Sequence, residues 1–111
     1  MDNVIYIYTD GACRGNPGKG GWGALLVYQE SKKELYGFSG DTTNNIMELT
    51  AVIESLKSIK RKCPLIITTD SSYVKNGITD WIQSWKKNNW KTSNKKPVKN
   101  KELWLELDDL C

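Results

Sequence analysis

The sequence predicts an α/β fold built on a mixed sheet, in which three antiparallel strands are followed by a parallel one. Residues 4–8, 22–29 and 34–39 are β-prone runs with short links, which is typical of an antiparallel meander. Apolar residues then recur at helical spacing between positions 46 and 59, and the apolar run LIITT follows at 65–69. Because a helix links this run back to the sheet, we expect it to lie parallel to the first strand and to be covered on both faces.

Further helices are predicted on either side of this last strand. Threonine and asparagine residues just before position 46 can cap the start of the first helix. Helical patterns return at 73–78 and 80–87, with Gly77 and Thr79 offering a break between them. We interpret residues 88–99 as a polar loop and residues 101–110 as a last helix.

The composition limits the possible chemistry. With 111 residues, 39% of them hydrophobic, the chain is expected to form one domain over residues 1–111, with no membrane span. Three cysteines without CxxC spacing favour a cytoplasmic location over a disulfide framework or a thiolate zinc site. The sequence contains no histidine, which excludes histidine-based triads, HExxH zinc sites and histidine general bases.

Three carboxylates are predicted to meet at one edge of the sheet. Asp10 and Asp70 each follow a strand in a Thr-Asp pair, and adjacent parallel strands end at the same crevice. Glu48 lies at the rim of the buried face of the helix between them. Clustered carboxylates repel unless a cation joins them, and oxygen ligands favour Mg²⁺ or Mn²⁺. The alternative interpretation is two turn-forming aspartates and an ordinary helix-surface acid.

Six glycines stand between positions 11 and 23. The segment is not a P-loop, because Cys13 and Gly20 occupy positions where that motif needs glycine and a hydroxyl residue, and because a strand follows. We interpret the glycines as permitting a tight turn and the close approach of a large partner to bare backbone. A plain hairpin turn is the alternative.

A basic segment indicates a polyanionic partner. Residues 86–101 hold seven lysines and no acid, whereas the rest of the chain has nine basic and thirteen acidic residues and therefore nets −4. Lysines contact phosphates, and aromatic faces pack on sugars or bases. The predicted contacts are Trp81, Trp85, Lys86, Lys87, Trp90, Lys95, Lys96 and Lys99. The alternative is that the tryptophans are core anchors and the lysines a solvated face, an interpretation we prefer for Trp104 but not for Trp85.

Four stretches carry a family resemblance. YTDGACRGNPGKGGWGALL, TTNNIMELTAVIESL, TTDSSYVKNGITDWIQSWKKNNWKT and KKPVKNKELW occur in this order and span nearly the whole chain, residues 5–110. Together they resemble type 1 ribonuclease H of the bacterial kind, including its basic protrusion, which corresponds here to about residues 80–100. The resemblance implies a ribonuclease H-like mixed sheet with helices on both faces.

The resemblance also implies an activity and a set of site residues. The family cuts the RNA strand of RNA–DNA hybrids endonucleolytically with Mg²⁺, or Mn²⁺ as a substitute, and leaves a 3′-hydroxyl and a 5′-phosphate. Asp10, Glu48 and Asp70 match its catalytic, metal-binding carboxylates in a two-metal scheme. The matches to its substrate-binding positions are Cys13, Asn16, Asn44 and Asn45 on the hybrid-binding face, Thr43 and Asn100 at a DNA phosphate, and Trp81 and Trp85 in the DNA-strand groove. Ser72 stands where many relatives carry an amide that contacts RNA.

The sequence departs from the family pattern after residue 110. The family continues with a fifth strand, a loop that bears a catalytic histidine, and a final helix that begins near a fourth catalytic aspartate. We therefore expect an incomplete domain with impaired catalysis. In place of the family's monomeric state, we expect either low stability or self-association, through the strand at 65–69 or by exchange of elements between copies. Two alternatives stay open: a non-catalytic module that binds RNA–DNA hybrids, and a relative of the same fold that cuts DNA, against which the lysine- and tryptophan-rich segment argues.

Overall fold

The computed structural model of the protein describes residues 3–15, 17–59, 64–91 and 98–110. Its four strands form one sheet in the order β3-β2-β1-β4. The strands β1 and β2 pair antiparallel, as do β2 and β3, while β4 runs parallel to β1. Their bounds are Ile5–Cys13 for β1, Gly18–Tyr28 for β2, Ser31–Thr42 for β3 and Leu65–Thr69 for β4. The predicted fold class, a mixed sheet of three antiparallel strands and one parallel strand with helices, is confirmed.

The first hairpin is longer than the sequence pattern predicts. β1 does not end at Asp10, as we expected, but continues for three residues, and its ladder with β2 runs from Ile5↔Tyr28 to Cys13↔Gly20. The tight turn lies beyond it, where the backbone N–H of Arg14 donates to the Lys19 carbonyl at 2.7 Å. Most glycines of the segment therefore belong to paired strands. The error arose because glycine lacks the alternating side chains by which a strand is recognised, although its backbone pairs normally.

One helix, α1 (Asn44–Lys57), packs on the sheet. It begins as predicted, because the side chain of Thr43 accepts a hydrogen bond from the Ile46 N–H at 3.2 Å. Its apolar stripe joins a core with inward-facing residues of β1 and β2. The fully or nearly fully buried residues of this interface are Ile5, Ile7, Ala24, Leu26, Leu49, Val52, Ile53 and Leu56.

The chain beyond β4 folds as two helical arms. The first contains α2 (Ser72–Asn76), a π-helical turn (Gly77–Trp81) and α3 (Ile82–Lys87), so the predicted break is a widened turn within a continuous helical path. Gly77 is required there, because a Cβ atom at this position would overlap the ring of Trp104. The second arm, α4 (Lys101–Leu110), was predicted with these bounds and packs against α1.

The sheet is covered on one face and open on the other within the described residues. β4 is an edge strand, and its apolar run is not buried on both faces as we predicted: Leu65 is 37% and Ile66 48% exposed. The face opposite α1 also carries Tyr8, Tyr36 and Phe38, all of them exposed. In the part of the chain that the structure describes, no helix is long and apolar enough to cross a membrane.

Candidate catalytic carboxylates and nucleic-acid interface

Glu48 reaches the sheet edge because Gly11 has no side chain. A Cβ atom on Gly11 would lie 2.7 Å from the backbone nitrogen of Glu48 and equally close to the carbonyl carbon of Met47. No side chain fits in that space, so the first turns of α1 rest directly on β1, one residue after Asp10. The partner that approaches the bare backbone at Gly11 is therefore a helix of the same chain. The close approach that we predicted for a large partner is thus made at this position by α1.

Two neutral donors hold the Glu48 carboxylate. The backbone N–H of Gly11 donates to it, and the hydroxyl of Thr69 donates to Oε2 at 3.5 Å. Thr69 is the last residue of β4 and only 4% exposed, and its Oγ1 accepts from the Ser71 N–H at 3.1 Å. Thr69 therefore connects Glu48 to the turn that carries Asp70. In the sequence, the only feature that marks Thr69 as a site residue is its place before Asp70 in the Thr-Asp pair.

The three acids share one electrostatic environment. Burial raises the pKa of Glu48 above its ordinary value, and the negative charges of Asp10 and Asp70 raise it further, against the lowering effect of the hydrogen bonds from Gly11 and Thr69. Asp10 and Asp70 are themselves exposed at the edge of the sheet. Asp10 and Asp70 directly follow the paired residues Thr9 and Thr69 of β1 and β4, so both lie at the same edge of the sheet.

The carboxylates do not form a closed cage. Over residues 3–15, 17–59, 64–91 and 98–110, no three acidic, cysteine or histidine side chains stand close enough together to hold a metal ion. That Asp10, Glu48 and Asp70 together bind a metal ion therefore remains a prediction. The donor set of three carboxylates fits a hard cation such as Mg²⁺ or Mn²⁺, and a cation would relieve the repulsion that raises the pKa of Glu48.

Predicted substrate contacts lie at the start of α1 and of α2. Thr43 caps α1, Asn44 is exposed and Asn45 half-buried in its first turn, and Ser72 is exposed at the start of α2. Cys13 is a half-buried free thiol whose Sγ donates to the Thr42 carbonyl at 3.2 Å. Their predicted roles in nucleic-acid binding remain predictions, and Asn16 lies outside the described residues.

The tryptophans in and beside the basic segment form an aromatic cluster with Tyr73, which consists of Tyr73, Trp81, Trp85, Trp90 and Trp104. Trp85 is its centre, with ring centroids 5.9 Å from Trp81, 6.0 Å from Trp90 and 5.4 Å from Trp104. Trp104 is fully buried, as predicted. Trp81, Trp85 and Trp90 are half-buried against the same core, so the anchoring role that we had set second for Trp85 is present in the fold. The part of each ring that stays accessible is where the predicted contact with nucleic acid would be made.

The predicted lysine contacts are not equivalent. Nζ of Lys86 lies 2.9 Å from Oδ1 of Asp108, so an acid of α4 already balances its charge. Lys87 and Lys99 are exposed, as is Lys91. Lys95 and Lys96 lie outside the described residues. A pairing between residues 22 positions apart has no local sequence signal, which is why all these lysines looked alike in the sequence.

Asn100, the predicted phosphate contact, precedes α4 in a left-handed conformation with φ of 59°. Its side-chain nitrogen donates to the hydroxyl of Tyr73 at 3.1 Å. Its carbonyl accepts from the backbone N–H groups of Leu103 and Trp104. Asparagine tolerates positive φ better than most residues. No local sequence signal indicates its hydrogen-bond partner Tyr73, which lies 27 positions earlier in the chain.

A sheet that brings acidic side chains to one edge beside a lysine-rich helical arm has the features of a metal-dependent enzyme acting on nucleic acid. The RNase H family model matches residues 2–111. The chain is 64% identical over 110 residues to Ribonuclease H of Neisseria meningitidis serogroup C, covering 99% of this chain and 76% of that protein. It is 65% identical over 105 residues to Ribonuclease H of Hydrogenovibrio crunogenus, covering 95% and 72%.

The fold also matches a solved structure, LC11-RNase H1 in complex with an RNA/DNA hybrid. The TM-score is 0.68 at 24% identity, and the match covers 96% of this chain and 75% of that one. The chain belongs to the ribonuclease H family, among the type 1 bacterial enzymes.

Proposed function

We propose that the protein hydrolyses the RNA strand of RNA–DNA hybrids endonucleolytically, in a reaction that requires Mg²⁺ and leaves a 3′-hydroxyl and a 5′-phosphate. The observation that carries this proposal is that Asp10 and Asp70 directly follow the paired residues Thr9 and Thr69 of β1 and β4, while Glu48 of α1 accepts a hydrogen bond from Thr69. Burial and the negative charges of the two aspartates raise the pKa of Glu48. Family membership supports it, and the same fold holds an RNA/DNA hybrid in LC11-RNase H1.

Asp10, Glu48 and Asp70 are the residues that would hold Mg²⁺ or Mn²⁺. Two such ions, when bound, would activate the attacking water and stabilise the leaving oxygen. The chain itself contributes the orientation of Glu48, since its carboxylate accepts hydrogen bonds from Gly11 and Thr69. With no histidine in the 111 residues, the donor set at this edge consists of oxygen atoms.

The substrate would cross this edge between two groups of residues. Asn44 and Asn45, with Cys13 nearby in the chain's hairpin, are proposed to contact the hybrid on one side, and Thr43 and Asn100 to hold a DNA phosphate. The exposed lysines of the basic segment would contact further phosphates, which makes binding dependent on salt. Selectivity would come from 2′-hydroxyl groups on one strand and deoxyribose on the other, with no reading of base sequence.

The proposal is tested with a labelled RNA–DNA hybrid, with and without Mg²⁺. We expect cleavage of the RNA strand only when metal is present, and loss of at least about a hundredfold in rate in Asp70→Asn. Asp109→Asn is the matched control, because Asp109 is an exposed acid near the end of α4. Hybrid binding without turnover would indicate the alternative, a non-catalytic binding module, and unchanged cleavage in Asp70→Asn would exclude that residue from the site.

We further propose that residues 1–111 act as one domain in the cytoplasm and that β4 mediates association of two copies. Within the described residues the outer edge of β4 is unpaired, and the exposed side chains of Leu65 and Ile66 lie on it. An exposed apolar edge strand is a template for pairing with another chain. Association is therefore expected to increase with protein concentration.

A further inference from the structure

Tyr73 connects the strand end that carries Asp70 to the start of α4. It lies three residues after Asp70 on α2, a helix capped by Ser71, whose hydroxyl accepts from the Val74 N–H at 3.2 Å. The N–H of Ser71 donates in turn to Thr69, the residue that also bonds Glu48. The backbone between the carboxylate edge and Tyr73 is therefore held at both ends.

The hydroxyl of Tyr73 accepts two hydrogen bonds from the other arm. The indole N–H of Trp104 donates to it at 3.0 Å, and the side-chain nitrogen of Asn100 at 3.1 Å. Trp104 is fully buried, so its N–H needs an internal acceptor. One hydroxyl oxygen thus satisfies a core residue and at the same time orients the amide of Asn100. That amide keeps a second N–H and its oxygen for another partner.

The ring of Tyr73 is fixed as firmly as its hydroxyl. It packs edge-on against the ring of Trp81, with the two ring centroids 5.6 Å apart. It also packs at a tilt against the ring of Trp104, with a centroid distance of 5.2 Å. Gly77 keeps the space for the Trp104 ring open. Since Tyr73 cannot shift without moving this packing, its hydroxyl provides a rigid reference point for Asn100.

We infer that Tyr73 is a positioning residue for substrate binding: it holds the Asn100 amide at a set distance from the carboxylate edge, so that one hybrid can engage both. This inference rests on the proposed function, because it assumes that Asn100 contacts a phosphate of the DNA strand. Tyr73 itself is not required to touch the substrate.

The test compares hybrid affinity in variants that separate positioning from packing. Tyr73→Phe keeps the ring and removes the hydroxyl, and Asn100→Gly removes the amide in a residue that tolerates the positive φ. Affinity for a fluorescent RNA–DNA hybrid is measured by anisotropy without divalent metal, so that no cleavage intervenes. We expect Kd to rise about three- to tenfold in each single variant, the effect of one lost hydrogen bond, and no further in the double variant. With Mg²⁺ present, kcat of Tyr73→Phe at saturating hybrid should stay within about twofold.

Trp104→Phe is the control for a purely structural effect. It removes the other hydrogen bond to Tyr73 and lowers stability, but leaves Asn100 bonded, so the Kd of the folded protein should not change. Tyr36→Phe, at a residue that is 74% exposed, controls for the loss of a tyrosine oxygen in general. A raised Kd in Asn100→Gly with a normal Kd in Tyr73→Phe would overturn the inference alone. A normal Kd in Asn100→Gly would overturn the proposed phosphate contact, and the inference with it.

Discussion

The carboxylate edge (Asp10, Glu48 and Asp70) and the aromatic cluster with its lysines both concentrate charge, but they balance it differently. At the carboxylate edge the hydrogen bonds to Glu48 from the described part of the chain come from the neutral donors Gly11 and Thr69, and its pKa is raised by burial and by the two aspartates. Beside the aromatic cluster, Lys86 is paired with an acid of the same chain. Under the proposed function, a bound cation would neutralise the carboxylates, whereas Asp108 already balances the charge of Lys86 within the chain.

The two regions are also held together by different means. The carboxylate edge depends on the absence of a side chain at Gly11, which lets two backbones touch. The aromatic cluster depends on large side chains, with Trp104 of the second helical arm in contact with both Tyr73 and Trp85 of the first. An added methyl group at Gly11 should therefore disrupt the carboxylate edge, and loss of a hydrogen bond to Tyr73 should affect the aromatic cluster.

The largest effect is expected from Gly11→Ala. The new methyl group would lie 2.7 Å from backbone atoms of α1, which cannot move aside without lifting Glu48 from the sheet. Overpacking of this kind costs about 1–3 kcal/mol, and we expect both a lower melting temperature and loss of metal-dependent cleavage. The control is Gly40→Ala, where a Cβ atom would meet nothing within 4 Å. Equal melting temperatures for the two variants would contradict the close contact between α1 and β1.

The next effect separates two adjacent lysines. Lys87→Ala should weaken hybrid binding and lower the slope of log Kd against log salt by about one, because one counterion is released for each phosphate contact. Lys86→Ala should change the slope less, since Asp108 competes for its charge, and should lose about 0.2–1 kcal/mol of stability at most. Binding titrations at several salt concentrations measure both slopes. Identical slopes would show that the Lys86–Asp108 pair opens in the complex.

A smaller effect is expected from Glu48→Gln in the metal-free protein. The folded pKa of Glu48 is raised, so the folded state binds this proton more tightly than the unfolded state, and stability falls as pH rises from the ordinary value of 4.5 through the folded pKa. Glutamine removes this penalty. In EDTA, Glu48→Gln should therefore melt above the wild type at neutral pH but not in acid.

Added Mg²⁺ reverses this ranking, because it should stabilise the wild type and not the variant. Glu30→Gln, at an exposed turn position, is the control and should follow the wild type throughout. Stabilisation of Glu48→Gln by Mg²⁺ to the wild-type extent would remove Glu48 from the metal site.

The smallest change in the fold is expected from Ile66→Lys. Ile66 is 48% exposed on β4, so a lysine there should leave the melting temperature nearly unchanged while discouraging strand pairing between copies. Light scattering over a range of concentrations measures the association. If the wild type stays monomeric throughout, association through β4 is wrong.

Much of the carboxylate edge followed from the sequence alone. The apolar runs that end in Thr-Asp pairs, with a helix between them, predicted that β1 and β4 are parallel. The helical period from 46 to 59, with threonine and asparagine residues before it, predicted the helix that carries Glu48. These features are local, because strand alternation, helical period and capping depend on neighbours a few residues apart. The same local signals predicted α4 and the burial of Trp104.

Only the tertiary structure decided which contacts those elements make. Three sets of contacts join residues 22 to 37 positions apart: the contact of Gly11 with Glu48, the Lys86–Asp108 pair, and the hydrogen bonds from Asn100 and Trp104 to Tyr73. The burial that raises the pKa of Glu48 likewise arises only from packing. Such contacts depend on how surfaces meet after the elements have formed, and no spacing along the chain encodes them. Residue type and local period therefore determined where the charges of this protein lie, and packing alone determined which of them remain uncompensated.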